Sequence, residues 1–175
     1  MKDLSQGRGR MRGGKLETAR RLFLRNRLLE SQIVLNGLLR REPQNYAANL
    51  LMGNILSDLG RLKDALIRFD RALAIEPMNP EGHELKANAL LGEGRLKEAE
   101  RCARSALKLA IKLGPDEYPA LDLIYDILVN SLIEQKRFRS AEKVALEGIR
   151  VTKSDILRCH LDRIRRCLTS TKKGR

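Results

Sequence analysis

The chain repeats itself, and that fact narrows its possible folds more than any other. Gly60-Arg61-Leu62-Lys63-Asp64-Ala65 returns 34 residues later as Gly94-Arg95-Leu96-Lys97-Glu98-Ala99. The same shift backwards brings Asn26-Arg27-Leu28-Leu29-Glu30-Ser31 into register, and it aligns Glu42-Pro43-Gln44-Asn45 with Glu76-Pro77-Met78-Asn79. A fourth copy, Lys136-Arg137-Phe138-Arg139-Ser140-Ala141, follows the third after 42 residues, so eight residues are inserted between Leu109 and Leu121. A fixed period of this length specifies one supersecondary unit stacked on its own copies, because a unit so small cannot bury its apolar face alone.

Within each copy the apolar spacing is helical. Leu50, Gly53, Leu56 and Leu59 lie on one face, as do Leu62, Ala65, Leu66, Phe69, Ala72 and Leu73, and no strand-like alternation occurs. The pattern predicts helices over 15–25, 28–41, 46–59, 62–75, 81–92, 96–113, 118–134 and 138–151, with Pro43, Pro77, Pro80 and Pro115 between them. The eight inserted residues predict a longer helix pair, with Gly114-Pro115 ending one helix and Asp116 with Pro119 starting the next. Aromatics are 3% of the chain and Trp is absent, so the core has to come from Leu, Ile, Ala and Val, which suit close helix packing.

A stack of this kind leaves an apolar flank on its last pair. Residues 154–169 are placed to cover it: Leu157, Leu161, Ile164 and Leu168 form one stripe, Ser154 or Asp155 can cap the start, and Arg158, Asp162, Arg165 and Arg166 fall away from the stripe.

The repeat resembles the tetratricopeptide repeat, a 34-residue helix-turn-helix with small residues where the helices meet. The second unit carries the resemblance in Gly53, Ala65, Phe69, Ala72 and Pro77; the third keeps Gly94, Ala99 and Ala106, and the fourth has Ala141, Ala145 and Gly148. The first has Ser31, Leu35 and Leu38 at signature positions. The expected architecture is an all-α, right-handed α-solenoid of about four helix-turn-helix repeats plus a C-terminal capping helix. Its units fall near 15–45, 46–79, 80–117 and 118–152 within a repeat domain of 15–152, flanked by basic tails at 1–14 and 170–175.

The resemblance also implies a concave groove lined by the first helix of each unit, where extended peptides lie. Asn54 and Asn88 are 34 apart and Asn130 follows after 42, so three units put an Asn at one equivalent point, and Arg20 breaks the row in the first unit. An amide both donates and accepts, so such a row can hold an extended backbone of any sequence. Around it on the same helices fall Leu50, Asp58, Glu81, Glu84, Leu91, Asp126 and Glu134, an acidic patch that suits a basic or polar segment. Some members of the family clamp a partner's C-terminal carboxylates with cations, but the corresponding places here hold Glu81, Leu85, Leu123 and Ile127, which argues against that mode.

The net charge of +13 is uneven: residues 1–45 carry 11 basic and 4 acidic side chains, residues 136–175 carry 13 and 4, and residues 46–135 carry 11 and 14. The basic ends, with Lys2, Arg8, Arg10, Arg12, Lys15, Lys172, Lys173 and Arg175, open a second reading in which they contact nucleic acid, a ribosome or an anionic membrane. Cys102, Cys159 and Cys167 are odd in number and lack a metal or disulfide spacing, so the expectation is reduced thiols in the cytoplasm. His83 and His160 have no nucleophile and orienting acid beside them in sequence, and no phosphate-binding loop occurs. The reading is therefore of a non-catalytic scaffold, adaptor or chaperone-like protein, without cofactor, metal or small-molecule substrate, that binds a protein or peptide and offers the first unit as a surface for homo-oligomers.

Overall fold

The computed structural model describes residues 14–114 and 117–173. Among them every regular element is a helix: α1 (Lys15–Leu24), α2 (Leu28–Leu39), α3 (Tyr46–Asp58), α4 (Leu62–Ile75), α5 (Pro80–Gly92), α6 (Leu96–Leu113), α7 (Leu121–Glu134), α8 (Phe138–Thr152) and α9 (Asp155–Lys173). The fold is all-α, a helical repeat, as the sequence period demands.

Local chemistry recurs with the period. The turn inside each hairpin needs a left-handed residue, and Asn26, Gly60, Gly94 and Lys136 occupy it at φ of 57°, 72°, 73° and 58°. The following amide then bonds five residues back in the Schellman manner, Arg27 to Leu22, Arg61 to Leu56, Arg95 to Leu90 and Arg137 to Leu132. The same arginine pairs with an acid three residues on: Arg27 with Glu30, Arg61 with Asp64, Arg95 with Glu98. The fourth copy has Ser140 at that place, and Arg137 instead reaches Glu100 on α6 at 2.6 Å.

The connections between hairpins repeat as well. In Glu42-Pro43-Gln44-Asn45 the Asn45 amide donates to Glu42 and its Oδ1 accepts from the Ala48 amide of α3, which caps the helix. Asn79 does the same with Glu76 and the Glu81 amide, and Pro80 fills the first position of α5.

Small residues let the helices approach. Ala65, Ala99 and Ala141 are fully buried, and at the matching place in the first hairpin Ser31 is buried with its hydroxyl donating to the Ala19 carbonyl of α1. Gly53 lies against the ring of Phe69, and Gly148 against Tyr125 and Leu157.

Each helix packs on the next in sequence, and the odd-numbered helices also touch one another, α1 on α3, α3 on α5, α5 on α7 and α7 on α9. No two even-numbered helices are in contact among the described residues. One row is therefore closely spaced and the other is splayed, so the array is curved with the odd helices inside, and α1 and α9 do not meet to close a bundle.

Three differences from the sequence reading have physical causes. The inserted residues do not simply lengthen a helix pair: α6 takes four more residues than α4, α7 one more than α5, and the rest lengthen the connection between them. Within that connection the Tyr118 amide donates to the Gly114 carbonyl and Pro119 and Ala120 form a turn, so α7 starts at Leu121 and not at 118. The cap α9 runs on to Lys173 and takes in residues assigned to a tail. It seats Leu157 and Ile164 at 0% exposure and Leu161 at 7% against the last hairpin, each such side chain contributing roughly 1.5–3 kcal/mol. The proposed starts and stops at Pro115 and Asp116, and the tail residues 1–13 and 174–175, lie outside the described residues.

Candidate functional site

Because the odd helices form the inner row, the positions they share decide what that face can offer. Asn54 on α3, Asn88 on α5 and Asn130 on α7 occupy one register position. Asn54 is half-buried and Asn88 exposed, and neither side-chain amide has a hydrogen-bond partner among the described residues. Asn130 differs. Its amide donates to Asp126 Oδ1 at 3.1 Å and lies 3.5 Å from His160 of α9.

The neighbouring positions separate into three groups. Leu50 is 4% exposed and belongs to the core, so it is not a groove contact as its register suggested: the packing of α3 against its neighbours claims it. Asp126 and Glu134 are engaged by the cap, through His160 Nε2 donating to Asp126 at 2.6 Å and Arg163 lying 3.8 Å from Glu134. Asp58 and Glu81 are exposed and Leu91 is half-buried, packed on the core from both sides of α5. Arg20, on α1, is exposed.

The acidic character gathers at one end of this face. Glu84, on α5, is 9% exposed, and the Tyr118 hydroxyl donates to its Oε2. Burial raises the Glu84 carboxyl above the usual carboxylate range, the Tyr118 hydrogen bond opposes this, and the charges of Glu81 and Asp122 add to the rise. Glu81, exposed as a residue, has its carboxyl raised by the partial loss of solvent around it and by Glu76, against the pull of Arg20. Tyr118 is held far above the usual phenol range by burial and by Glu84. Sequence reading missed this pair, because Tyr118 lies in the lengthened connection before α7, outside the 42-residue register that relates α5 to α7.

Glu100 makes the other buried polar centre. Its carboxylate accepts from Arg104 at 2.9 Å, Gln135 at 3.1 Å and Arg137 at 2.6 Å, which ties α6 to the turn between α7 and α8. All its partners are satisfied within the chain, so it holds the fold and offers nothing to a guest. Among the described residues no cluster of three His, Cys, Asp or Glu side chains could hold a metal, and no helix is long and apolar enough to cross a membrane.

Comparison with known proteins agrees with the helical repeat. Residues 26–89 match the family profile of the tetratricopeptide repeat. No curated protein matches the sequence significantly. The fold is similar to that of the pilF protein of Pseudomonas aeruginosa, at 14% identity and a TM-score of 0.76 over 91% of this chain and 68% of that one. It is similar to MamA of Desulfovibrio magneticus RS-1, at 19% identity and 0.74 over 92% and 89%. It is also similar to SycD, the type III secretion translocator chaperone of Yersinia enterocolitica, at 17% identity and 0.65 over 70% and 83%.

Proposed function

We propose that this chain is a non-catalytic interaction module of the tetratricopeptide-repeat type that holds an extended protein segment on the face made by α3, α5 and α7. Proteins of this repeat are in general interaction modules, and a chaperone among the similar folds supports a protein-handling role. The observation that carries the proposal is the pair of uncommitted amides at Asn54 and Asn88 on the closely spaced inner row. Each can give a hydrogen bond and take one, which is what a passing polypeptide backbone requires. Asn130 stabilises the junction with α9 in this reading, and it ends the row rather than extending it.

The test is capture from the native cell on the full chain, followed by mass spectrometry, alongside a folded Asn54→Ala/Asn88→Ala variant. A protein retained by the wild type and lost from the variant is the expected result. Equal retention would remove the two amides from the reading. Capture of unrelated RNA with a steep dependence on salt would instead assign the work to the basic flanks.

A further inference from the structure

The inserted residues build something that the other units lack. Pro80 and Glu81 at the start of α5 and the connection before them face Leu113 at the end of α6 and the lengthened connection to α7, and between them lies a broadly open depression of about 720 Å³. Met78, Leu113 and Pro119 are among its apolar walls, and Met78 and Leu113 are unusually open for their type, at 67% and 45% exposure. Glu76, Glu81 and Glu117 line it with them, and among the described residues no Lys, Arg or His does. Among the described residues no ion pair involves any of the three carboxylates.

We propose that this rim pocket receives an arginine side chain of the partner segment, with the aliphatic stem along Met78, Leu113 and Pro119 and the guanidinium among Glu76, Glu81 and Glu117. The proposal rests on the reading above, that the protein holds a polypeptide segment, and gives that segment one chemical requirement. Charge complementarity selects the occupant. In a chain of +13 the pocket is a local reversal of sign: Glu81 is repelled by Glu76 and by the nearby Glu84, and among the described residues Arg20 of α1 is the cation that opposes this at Glu81. A lining that is part apolar and part acidic matches a side chain that is methylene along its length and cationic at its tip. A planar guanidinium can pair with two carboxylates at once, which an ammonium does less well. The pocket opens at the starts of α5 and α7, so a segment anchored here is delivered to the inner row at Glu84 and Asn88.

The experiment is a titration of the isotope-labelled full chain with the peptide acetyl-Gly-Leu-Arg-Leu-Gly-amide, followed by backbone amide NMR. A second titration uses the same peptide with citrulline, which has the shape of arginine without its charge. Expected are shifts concentrated at residues 76–81 and 117–118, and binding weakened by about tenfold or more both by citrulline and by Glu81→Gln with Glu117→Gln. Equal binding of the two peptides to the wild-type chain overturns the proposal without recourse to any variant, as do shifts scattered over the surface. Shifts at Asn54 and Asn88 that are indifferent to citrulline would overturn the pocket and leave the inner-face reading standing. Arginine-dependent binding at the rim that survives Asn54→Ala/Asn88→Ala, with partner capture also unchanged, would do the reverse.

Discussion

Two glycines in this fold should respond to alanine with opposite signs. Gly53 and Gly37 both sit inside helices, where alanine is favoured over glycine by about 0.8–1.0 kcal/mol because it orders less backbone on folding. At Gly37 a new Cβ meets only the far end of Lys15, at 4.0 Å, so that preference acts unopposed and Gly37→Ala should stabilise the protein by roughly 0.5–1 kcal/mol. At Gly53 the Cβ would overlap the Phe69 ring, standing 2.7 Å from Cδ1 and 2.8 Å from Cζ, and Phe69 is 1% exposed with no free space to retreat into. Overpacking of this kind costs about 1–3 kcal/mol, which exceeds the helical gain, so the net effect is a loss of up to roughly 2 kcal/mol. Urea unfolding of both variants followed by far-ultraviolet circular dichroism reads the difference directly. Gly53→Ala with Phe69→Leu should recover part of the loss, because the shorter side chain vacates the contested space. If Gly53→Ala raises the midpoint as Gly37→Ala does, the packing of α3 on α4 described above is wrong.

Glu100→Gln should destabilise the protein by about 1–3 kcal/mol, since the replacement keeps the shape and loses the charge that Arg104 and Arg137 bond to. Burial raises the Glu100 carboxyl, but the hydrogen bonds from Arg104 and Gln135 and the charge of Arg137 outweigh it and leave the group below its ordinary range. The stability it supplies is therefore complete above the unfolded carboxylate value of about 4.3 and is lost as pH falls below it, so the gap between wild type and variant should close on acidification in matched unfolding curves. Asn79→Ala removes the cap on α5 and should cost about 1 kcal/mol by the same assay. Ala65→Leu and Ala99→Leu, each placed at 0% exposure where paired helices touch, should cost about 1–3 kcal/mol apiece, and unchanged melting in both would refute the repeat register.

The architecture was legible because it is written several times over. Glu-Pro-x-Asn and Gly-Arg-Leu each fold the same way at each occurrence, so a period found by comparison alone located the turns, the caps and the small contact residues. Lys136 shows the limit of composition as a guide: it adopts the left-handed turn that Gly60 and Gly94 adopt, and only its place in the repeat identifies it. The site was less legible, for reasons that act across units. Register assigns Leu50, Glu84 and Asp126 to one row, yet the first is sealed in the core, the second is bonded to Tyr118 and the third to His160. Equivalent positions do not have equivalent neighbours, because the unit that follows each one has diverged. The rim pocket was beyond sequence reading altogether, since it depends on how the inserted residues divide between helix and connection.

A stack whose inner row is the closely spaced one bends about that row. The inner helices are in contact from α1 to α9, while among the described residues no two even helices touch, so a change of curvature opens or closes the even row by shifting each even helix against the odd helices on either side of it. On the proposed reading, a segment held along the inner row would bear on the curvature of the array, and through it on the spacing of the even helices on the opposite side.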